Sequence, residues 1–548
     1  MGIISFIGFT VLVAFYAWWK TRGTNEKSAD GYFLGGRSLG AVTIAGSLLL
    51  TNLSAEQIVG LNGQAFSEGV LVMAWETLAA IAMIVTAIWL LPSYMKGGIT
   101  TIPEYVEKRF DHQTKAILTI LFLSGYVIVI LPSVLYSGSL AFSTMFDIPG
   151  MLGISQEASI WLSVWTIGLI GMVYAIFGGL KAVAVSDLVN AVGLLIGGIL
   201  IPIFGLIVIG NGSVAEGLNT LWVSNPDKFI AAGEADASIP FGTIFTGMML
   251  VQMFYWGTNQ AILQRVFGAK SLKDGQKGMI LAALVKFLIP IIVVLPGIIA
   301  WHIFDGELEN PDQAYPSLVK EVLPASLVGF FAAVLFGAIL SSFNSLLNSS
   351  ATLFGFDLYK QYFKKDASEE QIVKAGKIFG IILGILGMLV APLIANAPDG
   401  LFAWLQEANG CYSIPILTVV VIGFFTKRVP AIAAKIGVVS GVVLYSISQF
   451  IIKPMMVSNV LKDAAANGVT DEKTLSLLEA EAYPHFLHVM AILFVLNISI
   501  MLIIGKLYPR DADYVQKITD DVNITPWKYA MITGAAITIL VISTYLIF

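Results

Sequence analysis

The chain has 548 residues, of which 57% are hydrophobic and only 12% are charged, and its mean hydropathy is +0.83. Because a soluble domain carries roughly 25% charged residues, this composition excludes a water-soluble protein and indicates that lipid solvates most of the chain. The formal net charge of −5 comes without a basic patch, and the single cysteine, Cys411, excludes an intrachain disulfide and a multi-cysteine metal site. We therefore expect membrane lipid around the chain and no nucleic-acid partner.

Apolar runs of about twenty residues follow one another along the chain, and a run of that length crosses the hydrocarbon core as one helix. The runs lie at about 2–19, 40–63, 70–94, 117–146, 157–177, 182–210, 241–264, 276–302, 325–353, 374–395, 401–425, 432–452, 485–504 and 528–548. The first run has no basic segment before it and no small-residue cleavage site after it, so we expect a retained helix. The sequence thus predicts an all-α membrane protein with about 14 transmembrane helices.

Basic residues indicate how these spans are oriented, because loops that face the cytoplasm carry an excess of Lys and Arg. If the N-terminus is outside, cytoplasmic segments hold 25 of the 31 basic residues, Arg265 among them, and outer segments hold five. The sequence therefore predicts a multi-pass protein of the cell (inner) membrane with both termini outside the cytoplasm. The longest outer loops, 303–324 and 453–484, are polar and acidic, and we expect them to be solvated.

A small set of ionisable residues interrupts the apolar runs. Four lie inside runs and a fifth lies near the end of one: Glu56, Glu76, Asp187 and Lys286, then Glu407. Because a charge inside hydrocarbon is costly, such residues are candidates for function. Opposite charges on separate spans either pair as part of the structure or bind a polar solute between them, and the sequence leaves both readings open.

Two spans also carry uncharged polar residues in mid-membrane. Span two contains the run LLLTNLSAEQIVG, and span seven contains VQMFYWGTNQAILQ. The two lie five spans apart and cross the membrane in opposite directions under the predicted orientation. Interrupted helices at matching positions of two inverted halves indicate the central binding site of a transporter. Hydrogen bonding between packed helices is the alternative, and it explains one such cluster better than two at corresponding positions.

Span nine carries a third polar cluster, in the run GAILSSFNSLLNSS. Hydroxyls and amides recur at helical spacing, at Ser341, Ser342, Asn344, Ser345, Asn348 and Ser349. One face of this helix is therefore lined with oxygen, the ligand atom that hard cations prefer. The cluster predicts a site for a cation such as Na⁺, with helix packing as the alternative.

Seven segments resemble, in order, motifs of the solute:sodium symporter family, which includes the sodium/glucose cotransporters. They are DGYFLGGRSLG at 30–40, TNLSAEQIVGLNGQAF at 51–66, TIPEYVEKRF at 101–110, GGLKAVAVSDLVNAVG at 178–193, FYWGTNQAILQR at 254–265, SSFNSLLNSSATLFGFDLYK at 341–360 and KRVPAIAAKIGVVSG at 427–441. Within the family, the resemblance extends to the bacterial sodium/galactose transporter and related sugar-transporter-like proteins.

The resemblance implies a LeuT-type fold of two inverted five-helix repeats, made by spans two to six and seven to eleven. The chain is then expected to divide into an N-terminal extra helix and linker (1–37), repeat one (38–210), repeat two (241–452), and an outer loop with C-terminal extra helices (453–548).

The resemblance also implies ligand sets. Na⁺ would be held by backbone carbonyls of Leu50, Leu53 and Ala338 and by hydroxyls of Ser341 and Ser342. A second sodium site would use Asp187, Ser341 and Ser345, although Asn344 stands where one relative has a serine ligand. The substrate set would be Gln57, Glu76, Lys286 and Gln406, with Tyr255 as a stacking inner gate and Gln252 in place of an asparagine. Ile130 and Ala79 replace polar sugar contacts, so the stereochemistry of the solute is not carried over.

These features together predict a sodium-coupled symporter, not an enzyme, that imports a small polar solute by alternating access. A monosaccharide suits the implied substrate set, and Na⁺ is the expected coupling ion. A sodium- or proton-coupled symporter for a carboxylate, nucleoside or amino acid remains an alternative, since Asp187 is titratable. A membrane solute sensor is a further alternative, although the chain carries no appended signalling domain. No nucleophile–base or metal motif of an enzyme occurs in the spans.

Overall fold

A computed structural model describes residues 2–22, 28–308, 310–396, 401–519 and 522–547. This part of the chain is helical, with isolated bridges but no strand, which confirms the predicted all-α class. The helices of the predicted spans one to six are Gly2–Thr21, Ala41–Asn52, Ala55–Glu68, Ala74–Val85, Leu91–Lys96, His112–Gly125, Leu131–Met145 and Gln156–Ile209. The last of these comprises two spans, because Gly179 has non-helical angles (φ 54°, ψ −179°) within it.

The second half of the chain is helical as well. The helices of spans seven to fourteen are Gly247–Gly257, Gln260–Phe267, Leu272–Leu288, Leu295–Ile303, Ala325–Thr352, Glu369–Val390, Leu401–Phe425, Ala431–Ile447, Phe486–Leu507 and Ala530–Thr544. Connecting helices lie at Ala29–Leu34, Ile102–Arg109, Val214–Ser224, Ala314–Val322, Lys453–Ala466 and Glu472–Ala482. Every predicted apolar run therefore coincides with helix.

The number of helices that can cross a membrane by themselves is smaller than the number of runs. In the described ranges, ten helices are long and apolar enough, or eleven if Leu272–Leu288 and Pro290–Ile303, bent by 45°, form one span. Spans two and seven do not qualify alone because each is broken into two short helices, and the last helix, Ala530–Thr544, has only 15 residues. The number of membrane-crossing helices is therefore lower than the number of apolar runs because some spans have interrupted or short helices.

The chain reverses direction between spans two and three. Gln57 and Glu76 line the same cavity although 19 residues separate them, so Ala55–Glu68 and Ala74–Val85 run away from it and back. The turn contains Gly69 at φ +81°, where a Cβ atom would lie 2.3 Å from the carbonyl oxygen of Lys228. Only glycine fits both this backbone conformation and this close approach.

The loop 303–324 is not the solvated segment that its composition predicts. Its helix Ala314–Val322 buries Tyr315, Leu318 and Val319, which are at most 1% exposed, against neighbouring spans. The apolar residues recur at helical spacing and form one stripe, which explains why this polar loop packs onto the bundle. The other outer loop, 453–484, is mostly exposed, as expected.

Asp312 anchors this loop to span eleven. Its carboxylate is 7% exposed and accepts a hydrogen bond of 3.2 Å from the backbone N–H of Leu401. Gly63 of span two lies directly beside it, since a Cβ atom at this glycine would lie 2.9 Å from Asp312 Oδ1. One buried carboxylate therefore connects the outer loop with two spans.

We expect Asp312 to make stability fall with rising pH. Burial raises the pKa of its carboxyl from 3.8 to about 6. The folded chain then binds this proton more tightly than the unfolded chain, so the stabilisation is complete below pH 3.8 and is lost as the pH rises through 6. Asp312→Asn keeps an acceptor for Leu401 and should raise the free energy of unfolding near pH 8 by about 2–3 kcal/mol. Thermal unfolding in detergent should show the gain shrinking toward pH 4, and a gain independent of pH would contradict the assignment.

Between spans thirteen and fourteen, the described residues 508–519 and 522–527 lie across one end of the bundle, and we call them the strap. Its backbone N–H groups at Arg510 and Tyr514 donate to the carbonyls of Arg428 and Lys427, and that of Thr519 donates to Lys96. Further along, the Asn523 carbonyl accepts from Leu272 N–H, and the Trp527 N–H donates to Gln276 Oε1 at 2.7 Å. The strap therefore connects the ends of spans three and eight with the loop between spans eleven and twelve.

Candidate functional site

A central cavity lies where the two broken spans meet their neighbours. The cavity has a volume of about 70 Å³. Spans two, three, four, seven, eight, nine and eleven contribute its walls. The polar residues of the lining are Thr51, Asn52, Glu56, Gln57, Glu76, Gln252, Tyr255, Asn259, Lys286, Ser342, Gln406 and Asn409. All six predicted substrate residues are therefore brought together, although they come from five different spans.

An ion pair between Glu76 and Lys286 dominates the electrostatics of this cavity. Both side chains are 1% exposed, and the ammonium is in direct contact with Glu76 Oε2. The local structure favours each charge, because Glu76 lies in the first turn of its helix and Lys286 in the last turn of its own. Lys286 also lies 5.8 Å from the ring centre of Trp256, a favourable cation–π geometry.

Several polar atoms of the cavity are free to bind a ligand. Gln57 Oε1 and Trp75 Nε1 are buried and have no hydrogen-bond partner among the described residues. Gln252 is different, because its Nε2 already donates to the Trp75 carbonyl at 2.7 Å. Since buried polar groups normally have partners, the unpaired atoms indicate positions where a bound solute supplies them.

Aromatic and apolar groups complete the lining. Trp75, Phe254, Tyr255 and Trp256 are all lining residues, and the rings of Tyr255 and Trp256 meet edge to face at 5.2 Å. Ile130 and Ala79 also line the cavity, so both apolar departures from the family pattern lie in its wall. Two other ionisable residues singled out in the sequence have different environments. Glu56 lines the cavity and accepts a hydrogen bond from Ser54 Oγ, whereas Glu407 forms an ion pair with Lys453 at 2.7 Å.

The break in span two frees backbone oxygens next to this cavity. In a continuous helix the N–H groups of Ser54 and Gln57 would bond to the carbonyls of Leu50 and Leu53. Here Ser54 N–H bonds to the Asn52 carbonyl at 2.8 Å, and Gln57 N–H bonds to the Ser54 carbonyl at 3.2 Å. The carbonyls of Leu50 and Leu53 are thereby released from helical bonding.

Span nine approaches this break with its oxygen-lined face. Ser342 Oγ donates to the Thr51 carbonyl at 3.0 Å, and the buried hydroxyl of Ser341 lies beside the Asp187 carboxylate. Ala338, one turn earlier, is fully buried. Freed carbonyls and hydroxyl oxygens facing one another are the donor set that a hard monovalent cation needs, so the residues predicted to hold Na⁺ fit that ion.

The residues predicted for a second sodium ion have other partners. Asp187 Oδ2 accepts from Ser47 Oγ at 2.6 Å, and Ser345 Oγ accepts from the Arg265 guanidinium. Arg265 is completely buried and its charge interacts with Asp187. Arg265, which the sequence analysis counts among the cytoplasmic basic residues, is thus buried in the bundle, where the Asp187 carboxylate and the Ser345 hydroxyl stabilise its charge.

Sequence reasoning missed several residues of the site. Trp75 lines the cavity, and Tyr126 Oη donates at 3.0 Å to Oδ1 of Asn259, which belongs to the predicted polar run of span seven. A tryptophan next to an intramembrane glutamate was the available signal for Trp75. No sequence pattern indicated Tyr126, because its partner lies 133 residues away.

Two broken spans around a buried polar cavity, with backbone carbonyls released at one break, define a secondary transporter of the LeuT-type fold. The family model for the sodium:solute symporter family matches residues 32–441. The chain belongs to this family, and it is accordingly a sodium-coupled symporter and not an enzyme. The predicted family, fold class and coupling ion are confirmed.

Relatives agree with this assignment. The chain is 44% identical over 545 residues to the uncharacterized symporter YidK of Escherichia coli (strain K12), covering 100% of this chain and 90% of that protein. It is 34% identical over 474 residues to a sodium/glucose cotransporter of Vibrio parahaemolyticus, covering 81% and 84%. The fold matches that of a Na⁺-coupled sialic acid symporter with a TM-score of 0.71 at 20% identity, over 94% of this chain and 99% of that one.

Proposed function

We propose that the protein imports a monosaccharide or a related polyol together with Na⁺. The observation that carries this proposal is the buried Glu76–Lys286 pair, flanked by the amides of Gln57 and Gln406 in a cavity with aromatic walls. A carboxylate accepts hydroxyl protons, an ammonium donates to hydroxyl oxygens, and an amide does either. A polyol offers both kinds of group on one small frame, so it can bind between the two charges.

The charges of the cavity disfavour a carboxylate substrate. Lys286 is the only cationic residue in the lining, and it is already paired with Glu76. Arg265 of span seven does not line the cavity and donates to Ala261 and Ser345. A second carboxylate beside Glu76 would experience repulsion without a free positive partner, whereas a neutral polyol would not.

Coupling between Na⁺ and solute follows because the proposed cation ligands come from two different spans. Na⁺ held by the carbonyls of Leu50 and Leu53 and the hydroxyl of Ser342 connects span two with span nine. The break that supplies these carbonyls also positions Gln57, so cation and solute favour the same arrangement of span two. The membrane potential contributes about 2.3 kcal/mol per charge per 100 mV to the import of each Na⁺.

The proposal includes the topology. Residues 38–210 and 241–452 form the two inverted repeats, and 1–37 and 453–548 lie outside them. In the cell (inner) membrane, both termini face away from the cytoplasm, which places the strap and the loops rich in Lys and Arg on the cytoplasmic side. Lipid surrounds the apolar outer faces of the spans.

A thermal-shift screen of the purified protein against sugars and polyols, with Na⁺ or with choline, tests the proposal. A true substrate at 100 times its Kd should stabilise the protein by about 2.7 kcal/mol, and should do so more strongly in Na⁺. Counterflow of the best ligand in proteoliposomes then distinguishes a transporter from a sensor. Stabilisation by carboxylates, nucleosides or amino acids alone would contradict a sugar substrate, and stabilisation unaffected by Na⁺ would contradict coupling.

A further inference from the structure

The second half of span seven, Gln260–Phe267, makes unusually polar contacts for a helix inside a membrane protein. All eight of its side chains are buried, and three of them are polar or charged: Gln260, Gln264 and Arg265. Gln260 and Gln264 lie four residues apart and therefore share one face of the helix. Neither faces the solute cavity, so their burial requires another explanation.

Gln264 connects three parts of the chain through one amide. Its Nε2 lies 2.8 Å from the carbonyl oxygen of Phe33, from Asn348 Oδ1 and from Thr352 Oγ1. Its Oε1 accepts from Ser349 Oγ, also at 2.8 Å. The side chain is 0% exposed, so span seven is held to span nine and to the helix Ala29–Leu34 by a fully satisfied amide.

The neighbouring polar side chains of this half-helix behave in the same way. Gln260 Oε1 accepts from Ile102 N–H at 2.9 Å, and its Nε2 donates to the Thr100 carbonyl at 3.3 Å. Arg265 donates to Ser345 of span nine. The half-helix is thus attached to its surroundings on one side by hydrogen bonds and not by apolar packing alone.

A hydrogen-bonded contact differs from an apolar one in what happens when it opens. Separating apolar faces exposes them to water at a cost proportional to area. Separating hydrogen-bonded groups costs little net free energy if water takes over each bond. If a substitution removes one partner, however, the closed contact leaves the other buried groups unpaired. A polar contact inside the bundle therefore suits a place where water enters during part of a cycle.

The position of this contact relates it to the cation. Asn348, Ser349 and Thr352 follow Ser341 and Ser342 on the same helix by two to three turns. They lie toward the end of span nine that leads to Lys360, which is the predicted cytoplasmic end. The amide of Gln264 thus lies between the cation site and that end of the bundle.

We propose that Gln264 is a latch that closes the cytoplasmic end of the pathway between spans seven and nine, and that it releases when the protein opens inward. The proposal rests on the proposed alternating-access function, because only a pathway that opens needs a closing contact. Gln264 touches neither solute nor cation in this arrangement and is a positioning residue. Its release hydrates the amide, Asn348, Ser349 and Thr352 together.

A single-cysteine protein allows a direct test. Cys411 is replaced by alanine and Ala261, which lines the cavity one turn before Gln264, is replaced by cysteine as a reporter. A membrane-impermeant maleimide is added to inside-out and to right-side-out vesicles without Na⁺ or sugar. Gln264→Leu should raise the labelling rate from the cytoplasmic side by about tenfold, the factor that corresponds to 1.4 kcal/mol, and should lower it from the outside.

Gln276→Leu is the matched control. Gln276 is also a buried glutamine, at 3% exposed, but its bonds go to the Ala87 carbonyl and the Trp527 N–H, away from span nine. This variant should label at the parent rate from both sides. A general loosening of the bundle would instead raise labelling from both sides in Gln264→Leu, and that result would overturn the latch.

Two further outcomes keep the test decisive. If Gln264→Leu does not accumulate, Ser349→Ala removes one bond of the same network and should raise cytoplasmic labelling by about threefold, a smaller part of the same effect. Parent rates in both variants would overturn the proposal. The labelling assay uses neither Na⁺ nor solute, so a failure to find sugar transport would contradict the proposed function but not a positive labelling result. If sugar counterflow is observed and labelling is unchanged, only the latch is overturned.

Discussion

Replacing Lys286 by alanine is expected to weaken substrate binding by about 10- to 150-fold, since hydrogen bonds to a charged group contribute about 1.5–3 kcal/mol and the remaining carboxylate loses its partner. Glu76 is 1% exposed, so its charge would be left in the cavity without compensation. Glu76→Ala should act in the same direction by leaving the ammonium unpaired. Equilibrium binding of a radiolabelled sugar to the purified protein measures the effect.

A double variant separates binding from folding. Each single substitution should also destabilise the protein, by about 3–5 kcal/mol, because an uncompensated charge remains buried. Glu76→Leu combined with Lys286→Met removes both charges and should recover much of the stability while binding remains lost. Arg428→Ala breaks the exposed ion pair with Asp513 and should change neither property. Parent affinity in both single alanine variants would show that the substrate binds elsewhere.

Ser342→Ala should raise the sodium concentration for half-maximal uptake by about tenfold, which corresponds to the loss of one ligand worth about 1.4 kcal/mol. The hydroxyl of Ser342 is held at the break of span two by its bond to the Thr51 carbonyl. Its removal takes away both an oxygen ligand and one connection between spans two and nine. Initial rates of solute uptake at varied Na⁺, with choline keeping the ionic strength constant, give this concentration.

Ser137→Ala provides the matched control for Ser342. Ser137 is also a buried serine in a span, but its hydroxyl donates to the Ser133 carbonyl of its own helix at 2.7 Å. Its loss should leave the sodium dependence as it is in the parent protein. An unchanged half-saturating concentration in Ser342→Ala would place the cation site elsewhere.

The sequence predicted much of the cavity because charge and polarity are conspicuous against an apolar background. Glu76 and Lys286 are recognisable as costly residues even without knowledge of the fold. That they form a pair, 210 residues apart along the chain, follows only from the packing of spans three and eight. The break in span two was also predictable, since TNLSAEQ places polar groups in mid-membrane, but the release of particular carbonyls is a property of backbone geometry.

Arg265 and Gln264 show what the sequence could not reveal. A basic residue near the end of an apolar run has the same local pattern whether it reaches water or a buried carboxylate. Asp187, which interacts with the charge of Arg265, belongs to a different span. Likewise the amide of Gln264 resembles an ordinary packing contact until its partners on span nine, 84 to 88 residues later, are known.

The helix Ala314–Val322 illustrates the same limit in a loop. The acidic and polar composition of 303–324 predicts solvation, yet its apolar residues share one stripe that packs onto the bundle. Averaging over the loop hides that stripe, and only its periodicity reveals it. Asp312 then becomes buried beside Gly63 although nothing in its immediate sequence requires burial.

The strap has a consequence for the order in which the protein is assembled. A ribosome adds about 5–20 residues per second, so the spans that enclose the cavity are made several seconds before residues 508–527. The Lys96 carbonyl and the Leu272 N–H are among the backbone groups that pair with the strap, and both are synthesised long before it. A nascent chain that has reached only span thirteen therefore contains every residue of the cavity and the cation site, while the ends of spans three and eight still depend on water for these bonds.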